Sequence, residues 1–486
     1  MSLNLSQPLE WKKSLFATTP AAAAELAMLN DLQGNILKGH GRHFTSNIFV
    51  KFSKGMQKSA RKFMASIGHD VTTALDQLTG AEAHNLSGTD AGTFVATMLS
   101  AKGYDAIGCM KPGDGAFQAG MGARSLNDPP VTQWDSEYRD VHAMILVGTS
   151  DGTWRDNERA AMTARIAATK GAVELLGFVD GNAIFNSDKR GIEHFGYVDG
   201  RSQPLALKED VDHAHSNGGI DQWDPSIPVS QLLVKDPNGK LDVSFGSYFV
   251  FRKLEQNVRG FKSHENELAD TLDIEAKANG GAHTPVGERA GASVVGRFEN
   301  GTPATLSATE IPLIAQSDDA VQNNFDYRDD RKGFKCPFAG HIRKSNPRSD
   351  TGAGSTESKK RLMGRRGITY GVRTDDPNDG KIDNKPTGGV GLLFMAYQAS
   401  LEDQFEFTQI SWVNNVKFSQ PLVNPGIDTG IDPVIGQVTA DSTVGQVYPL
   451  NWNTGPSSKP FDFHGFVTMR GGEYLFAPSI SFLKGL

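Results

Sequence analysis

The chain is predicted to be an α+β protein made of two ferredoxin-like halves, each a four-stranded antiparallel sheet with helices packed on it. Two observations carry this. The order strand–helix–strand–strand–helix–strand is read once between residues 46 and 185 and again between 247 and 476. The bulk figures agree: 486 residues, 38% hydrophobic and 22% charged, are enough for two or three domains with a large core and fit no fibrous or disordered class.

Residues 1–30 read as an arm with a short helix around 20–30. In the first half, Ser46–Phe52 is rich in β-forming residues and opens the set. Met56, Ala60, Phe63, Met64 and Ile67 then share one helical face. Thr93–Leu99 is a second strand leading into Ala101–Ile107, and Val141–Gly148 is a third. Asp151 stands as an N-cap before the alanine-rich helix Trp154–Lys170. Val173–Val179, with Ile184 and Phe185, closes the half.

The second half repeats the order. Ser247–Leu254 matches the first strand, Glu255–Leu272 the helix and Ala292–Gly296 the second strand. Val390–Tyr397 matches the third strand, followed by a helix over Ser400–Val413. His464–Met469 and Glu473–Phe476 end the chain. The boundary is expected near 215–235, where Gly, Pro, Asn and Asp cluster, giving a first half of 1–225 and a second of 226–486. Residues 273–350 form a long glycine-rich interval, of the kind that carries function or disorder.

The net charge of −7 and pI near 6.0 argue against a nucleic-acid partner, although 359–366 is locally basic. Two cysteines, Cys109 and Cys336, cannot build a disulfide framework, and without CxxC or a Cys/His cluster neither structural zinc nor an iron–sulfur cluster is expected. The first residues show no basic stretch leading into an apolar core, and no run of about 18 apolar residues exists. A cytoplasmic protein with no membrane span is expected.

Three stretches point to chemistry. Lys335-Cys336-Pro337-Phe338-Ala339-Gly340-His341-Ile342-Arg343 holds one histidine in a small, proline-opened apolar turn. A neutral imidazole there can give one nitrogen to a metal and the other N–H to an acceptor; the plain alternative is a buried, satisfied histidine. Phe195-Gly196-Tyr197-Val198-Asp199-Gly200-Arg201 sets one carboxylate between glycines, with an Asx turn as the plain alternative. Gly364-Arg365-Arg366-Gly367 sets an arginine pair before a glycine.

Together these resemble the dye-decolourising peroxidases, a haem enzyme family. Gly196-x-x-Asp199-Gly200 matches that family's distal signature, His341 its proximal haem ligand and Arg365 its distal arginine. Asp31-Leu32-Gln33-Gly34-Asn35-Ile36-Leu37 is similar to the family's opening segment. The family is built from two ferredoxin-like halves, with the haem between sheet and helices of the second.

The resemblance implies one haem b per chain, non-covalent because CxxCH is absent. It implies a peroxidase that reduces hydrogen peroxide through an oxidised, ferryl haem and takes electrons from dyes and phenolic or aromatic donors. His341 would ligate iron, its push set by an acceptor such as Asp403, Glu406 or a backbone carbonyl. Asp199 would move the proton and Arg365 would steady developing charge, with Arg366 pointing elsewhere. Gly200 would let the chain approach the macrocycle. Leu392 and Phe394 alternate on one strand and would narrow the space beside Asp199. Arg343 would meet a propionate or form a surface salt bridge. Gly352–Ser358 reads as an insertion over the haem edge or as a plain surface loop. Six tryptophans could relay electrons, and structural packing is the competing role for most of them. The apolar end Ser479–Leu486 could dock in an encapsulating shell, against a strand or packed tail. The competing function is a haem carrier or sensor on the same scaffold, which needs His341 but not the Asp199–Arg365 pair. A ferredoxin-like binding module without cofactor is a third.

Overall fold

The computed structural model describes residues 3–16, 18–278, 287–312, 322–351, 355–376, 381–419, 428–438, 444–454 and 457–486. Numbering only the strands of the main antiparallel sheet, these are β1 (Phe44–Phe52), β2 (Phe94–Ser100), β3 (Ala143–Thr149), β4 (Val173–Asn182), β5 (Val234–Lys235), β6 (Phe245–Gln256), β7 (Gly364–Arg365), β8 (Ile368–Tyr370), β9 (Gly391–Gln398) and β10 (Val467–Ala477). The spatial order is β5-β6-β10-β2-β3-β1-β4-β8-β9-β7, and β9 also pairs with β6.

That extra pairing closes the sheet. Strands β4-β1-β3-β2 form one four-stranded set, and β10-β6-β9 with β7/β8 forms the other in the same order of first, second, third and fourth strands. The sets meet at two short seams. At one, Leu475 and Phe476 pair with Ser100 and Leu99; at the other, Tyr370 pairs with Gly181. Glycine is required at 181, since a Cβ there would lie 2.5 Å from Ile368 Cγ2 and from Thr45 Oγ1. Phe49 of β1 and Phe251 of β6 are not on neighbouring strands, yet their rings lie 4.9 Å apart, so they touch across the interior of the closed sheet. Tyr138 contacts both at 5.0 and 5.6 Å. Closure leaves few free edges and buries strands on both faces, which is why every residue of β2 and β3 is buried and neither strand alternates apolar with exposed polar positions.

Helices α1 (Gln57–Gly68) and α2 (Gly152–Ala167) serve the first set. Asp151 caps α2 as its sequence position predicts, accepting from Trp154 N at 2.9 Å. In the second set α3 (Val258–Ala278) follows β6, and α4 (Gly287–Val295) packs against it. The helix expected over 400–413 is a pair of π-helical segments, Leu401–Glu406 and Thr408–Val413.

One element is corrected. Ala292–Gly296, expected as the second strand of the second half, lies mostly in α4, where Ala290, Ala292 and Val294 are buried and Ser293 Oγ donates to Arg289 O. The true second strand is the broken pair β7/β8. It carries Arg365 and is interrupted at Arg366 and Gly367, so it shows no apolar alternation to read.

The chain ends are tied together. Ser479 caps α5 (Ile480–Lys484), whose Ile480, Phe482 and Leu483 are buried, as a packed tail would be. Asp31 accepts from Ser481 N at 2.6 Å and from Ser244 Oγ at 2.5 Å. Of the stretch Gly352–Ser358, residues 352–354 lie outside the described residues, and Ser355–Lys359 is helical. No described helix is long and apolar enough to cross a membrane.

Candidate active site

The histidine loop is held from inside by a buried ion-pair cluster. Asp330 accepts from Lys335 N and Cys336 N, while the Arg343 guanidinium donates to Asp330 at 2.9 Å, to Asp350 at 2.6 Å and to Cys336 O at 2.5 Å. Arg343 is fully buried and does not line the cavity described below, which corrects both roles expected for it, propionate partner and surface salt bridge. Burial disfavours its charge, but the two carboxylates more than offset that and push its pKa up. A charge this buried persists only because it is fully paired.

Gly340 N donates to Pro337 O at 3.0 Å, and His341 then opens a five-residue helix, His341–Ser345. The His341 Nδ1–H donates to Asp432 Oδ2 at 2.8 Å. Asp432 is fully buried, and its other oxygen accepts from Val434 N at 2.8 Å and Ile435 N at 3.0 Å, so the carboxylate cannot rotate away. Burial lowers the pKa of His341, the Asp432 carboxylate raises it, and the net result is upward. With Nδ1 engaged, Nε2 is the nitrogen left to the cavity that His341 lines.

Asp432 replaces the acceptors expected from sequence. Asp403 is exposed and pairs with Arg361 at 3.2 Å. Glu406 binds Arg124 at 2.6 Å and accepts from Tyr474 Oη at 2.9 Å. The only local signal at 432 is its Asx turn ahead of two apolar residues, and nothing in that ties it to a histidine 91 positions earlier.

His341, Asp199, Gly200, Arg365, Leu392 and Phe394 line one cavity of about 520 Å³. That volume lies within the roughly 300–1,000 Å³ usual for cofactor pockets. The loop carrying Asp199 is fixed by Asp199 N to Gly191 O and Val198 N to Glu299 O, both at 3.1 Å. Gly200 has φ +74°, with open space where a Cβ would stand, so the glycine serves the turn rather than a close protein contact. Leu392 and Phe394 share the cavity side of β9, while Leu393 and Met395 face the core.

Arg365 and Arg366 diverge. The guanidinium of Arg365 donates to Arg201 O, and its electrostatic neighbour is Asp199. Arg366 is pinned to Asn35 O at 2.7 Å and Ile36 O at 3.0 Å in the opening segment. Burial lowers the pKa of both, Arg366 to about 10.

The cavity wall is rich in cations. Arg297 donates to Gly301 O, Gln322 O, Ser202 Oγ and Asn323 Oδ1, and Arg348 to Asn323 O, Phe325 O and Ser202 Oγ. All these acceptors are neutral. Neither residue, nor Arg365 or Arg366, has a carboxylate within ion-pair distance among the described residues. Burial and mutual repulsion lower the pKa of Arg297 to about 9, and burial lowers that of Arg348 to about 10. Buried charges are normally paired, so a group bearing negative charge fits this wall. A planar macrocycle with two carboxylates would fit this wall, with His341 Nε2 as the nitrogen available to its metal. Of the six tryptophans, Trp11, Trp134, Trp223 and Trp412 are buried.

No protein-family model matches this chain. It is 43% identical to the multifunctional dye peroxidase DyP2 of an Amycolatopsis species, over 100% of both chains. It is 29% identical to the dye-decolorizing peroxidase msp1 of Mycetinis scorodonius, over 96% of this chain and 90% of that one. The crystal structure of the DyP-type peroxidase of an Anabaena species superposes with TM-score 0.84 at 35% identity, covering 98% of this chain and 96% of that one. The solved structure of the Amycolatopsis DyP2 gives TM-score 0.89 over the whole of both chains. The shared fold and the full-length identity, with histidine, aspartate and arginine gathered in one cavity, place this chain in the dye-decolourising peroxidase family.

Proposed function

We propose that the protein binds one non-covalent haem b and uses hydrogen peroxide to oxidise dyes and phenolic or other aromatic donors. The observation that carries this is the convergence of His341, Asp199 and Arg365 on a single cavity whose wall is cationic. Bound haem supplies the redox-active iron at which the peroxide O–O bond is broken; two donors each give one electron and two waters leave.

The chain's own residues do the rest. His341 presents Nε2, and the buried Asp432 carboxylate makes it a strong donor. Asp199 takes the proton from the inner peroxide oxygen and returns it to the departing one. Arg365 holds a fixed positive charge over the anion that forms in between, in a site where burial makes such a charge count for more than in water. Leu392, Phe394 and Gly200 shape the space beside Asp199. Arg297 and Arg348 offer their charge to the macrocycle's carboxylates. In the two-half reading, 1–225 brings Asp199 and 226–486 brings the iron ligand and Arg365, so the reaction joins the halves.

A haem carrier needs the histidine alone. The Asp199–Arg365 pair in the same cavity favours turnover. The test is the absorption spectrum of purified protein before and after one equivalent of hydrogen peroxide, followed by loss of dye colour. A haem band that peroxide leaves unchanged refutes the enzyme, and a colourless protein that takes up no added haem refutes both readings.

A further inference from the structure

Glu193 is a carboxylate of the cavity that the proposed reaction leaves unused. Its position is built. Oε2 accepts from Phe195 N at 2.8 Å and from Gln256 Nε2 at 2.5 Å, and Oε1 accepts from Tyr197 N at 3.0 Å. Its backbone joins the same turn, with Glu193 N donating to Tyr197 O and Gly196 N to Glu193 O. Residues 193–197 therefore wrap around the Glu193 carboxylate, and Gln256 anchors the wrapped turn to β6. Two residues on, the same loop delivers Asp199. Gly196 makes the wrap possible at φ +104°, a conformation that side chains rarely adopt, and a Cβ there would also crowd Glu299 Oε1 at 3.2 Å.

We propose that Glu193 is the positioning residue for Asp199 and a second proton-holding group of the cavity. The proposal rests on reading Asp199 as the acid–base group.

The surroundings decide which charges Glu193 feels. Lys262 faces the loop but is shared by Glu299 and Glu265, and the Tyr197 hydroxyl donates to Glu265. Arg373 donates to His194 O and is paired with Asp375. His194 is buried and bound to Tyr370 O. These charges are met by partners, whereas Asp199 has no ion pair among the described residues and lies close enough to oppose a second negative charge. Burial, with that repulsion, raises the pKa of Glu193 to about 7 despite its three donors.

Gln256 suits both states of its partner. As placed, its amide N–H donates to the carboxylate, and its Oε1 is buried without a partner among the described residues. Rotating the amide by half a turn presents that oxygen to the O–H of a protonated Glu193. One side chain can thus satisfy the acid and its anion. Below neutral pH Glu193 then adds no negative charge, and above it the charge of Glu193 opposes a peroxide anion in the same cavity.

The experiment is infrared difference spectroscopy of the haem-loaded protein between about pH 5 and about pH 9, wild type against Glu193→Gln. Haem carboxylates are common to both and cancel. We expect a protonated-carboxyl C=O band in wild type that is lost on raising the pH and is absent from Glu193→Gln. The rate of reaction with peroxide should fall through the same interval in wild type, and Glu193→Gln should lack that step. A band that persists in Glu193→Gln, or an unchanged pH profile, overturns the proposal. If Glu193→Gln does not fold, Gln256→Leu serves: with a donor to the anion removed, loss of the band should move to higher pH, and an unmoved midpoint overturns the proposal. Asp199→Asn distinguishes the underlying reading. If it reacts with peroxide like wild type, the acid–base reading fails and takes the positioning role with it, even with the infrared band present.

Discussion

His341 Nδ1 lies 2.8 Å from Asp432 Oδ2, joining residues 91 positions apart through one buried hydrogen bond. Asp432 is held by two backbone N–H groups on its other oxygen, so it orients the ring as well as charging it. Asn at 432 keeps the shape but removes the charge. Asp432→Asn is expected to weaken iron binding by about 10- to 100-fold and to raise the reduction potential, because a less electron-rich imidazole favours ferric iron less. Haem transfer to an acceptor protein and a spectroelectrochemical titration measure the two effects. Wild-type values for both would remove Asp432 from the role.

The arginine pair makes separable predictions. Arg365→Leu should slow the reaction with peroxide by about 10²–10³-fold while the protein stays folded. Arg366→Leu should leave Asn35 O and Ile36 O without their donor, at a stability cost of roughly 1–3 kcal/mol. Stopped-flow mixing and urea unfolding on both variants settle the assignment. A slow Arg366→Leu with an unaffected Arg365→Leu would exchange their roles.

Asp199→Asn keeps size and loop geometry, since the bonds that fix the loop come from backbone atoms and from Glu193 and Gln256, and none of them from the Asp199 side chain. It should cost about 10²–10⁴-fold in the peroxide step, with haem content unchanged. A loss of haem together with the rate would instead mark Asp199 as part of the binding wall.

What the sequence showed and hid follows from range. Local patterns carried β1, β3 and α2, because runs of β-forming residues and the Asp151 cap act within a few residues. His341, Asp199 and Arg365 stood out because glycines and proline mark the turns that hold them. Asp432 was invisible: its partner is reached only through the fold. Arg343 was misjudged for the same reason, as Asp330 and Asp350 bury it from both sides. The β7/β8 strand was missed because its side chains serve the cavity and the opening segment, so its pattern answers to those contacts and not to a sheet face.

The loop beneath Asp199 also predicts how the protein meets acid. His194 is 1% exposed, and its Nε2–H donates to Tyr370 O at 2.8 Å. Its Nδ1 is buried with no partner among the described residues. A second proton would add an N–H with nothing to accept it, and burial accordingly lowers the pKa from 6.5 to about 4. The unfolded chain therefore binds this proton first as pH falls. The contribution is complete above about pH 6.5 and is lost progressively as pH falls, the loss reaching about 3 kcal/mol at pH 4. Glu193 acts with the opposite sign: its raised pKa favours the folded state below about 4.5, and that advantage fades as pH rises to about 7. The two neighbours offset each other across one interval, so wild type should change little there on their account. His194→Gln keeps a donor for Tyr370 O and removes the titration. Stability from urea unfolding at about pH 7 and about pH 4.5, for wild type and variant, isolates the histidine. The variant should lose less stability on acidification by roughly 2–3 kcal/mol. Equal losses in the two proteins would show that His194 is protonated in the folded state, with its Nδ1 partnered.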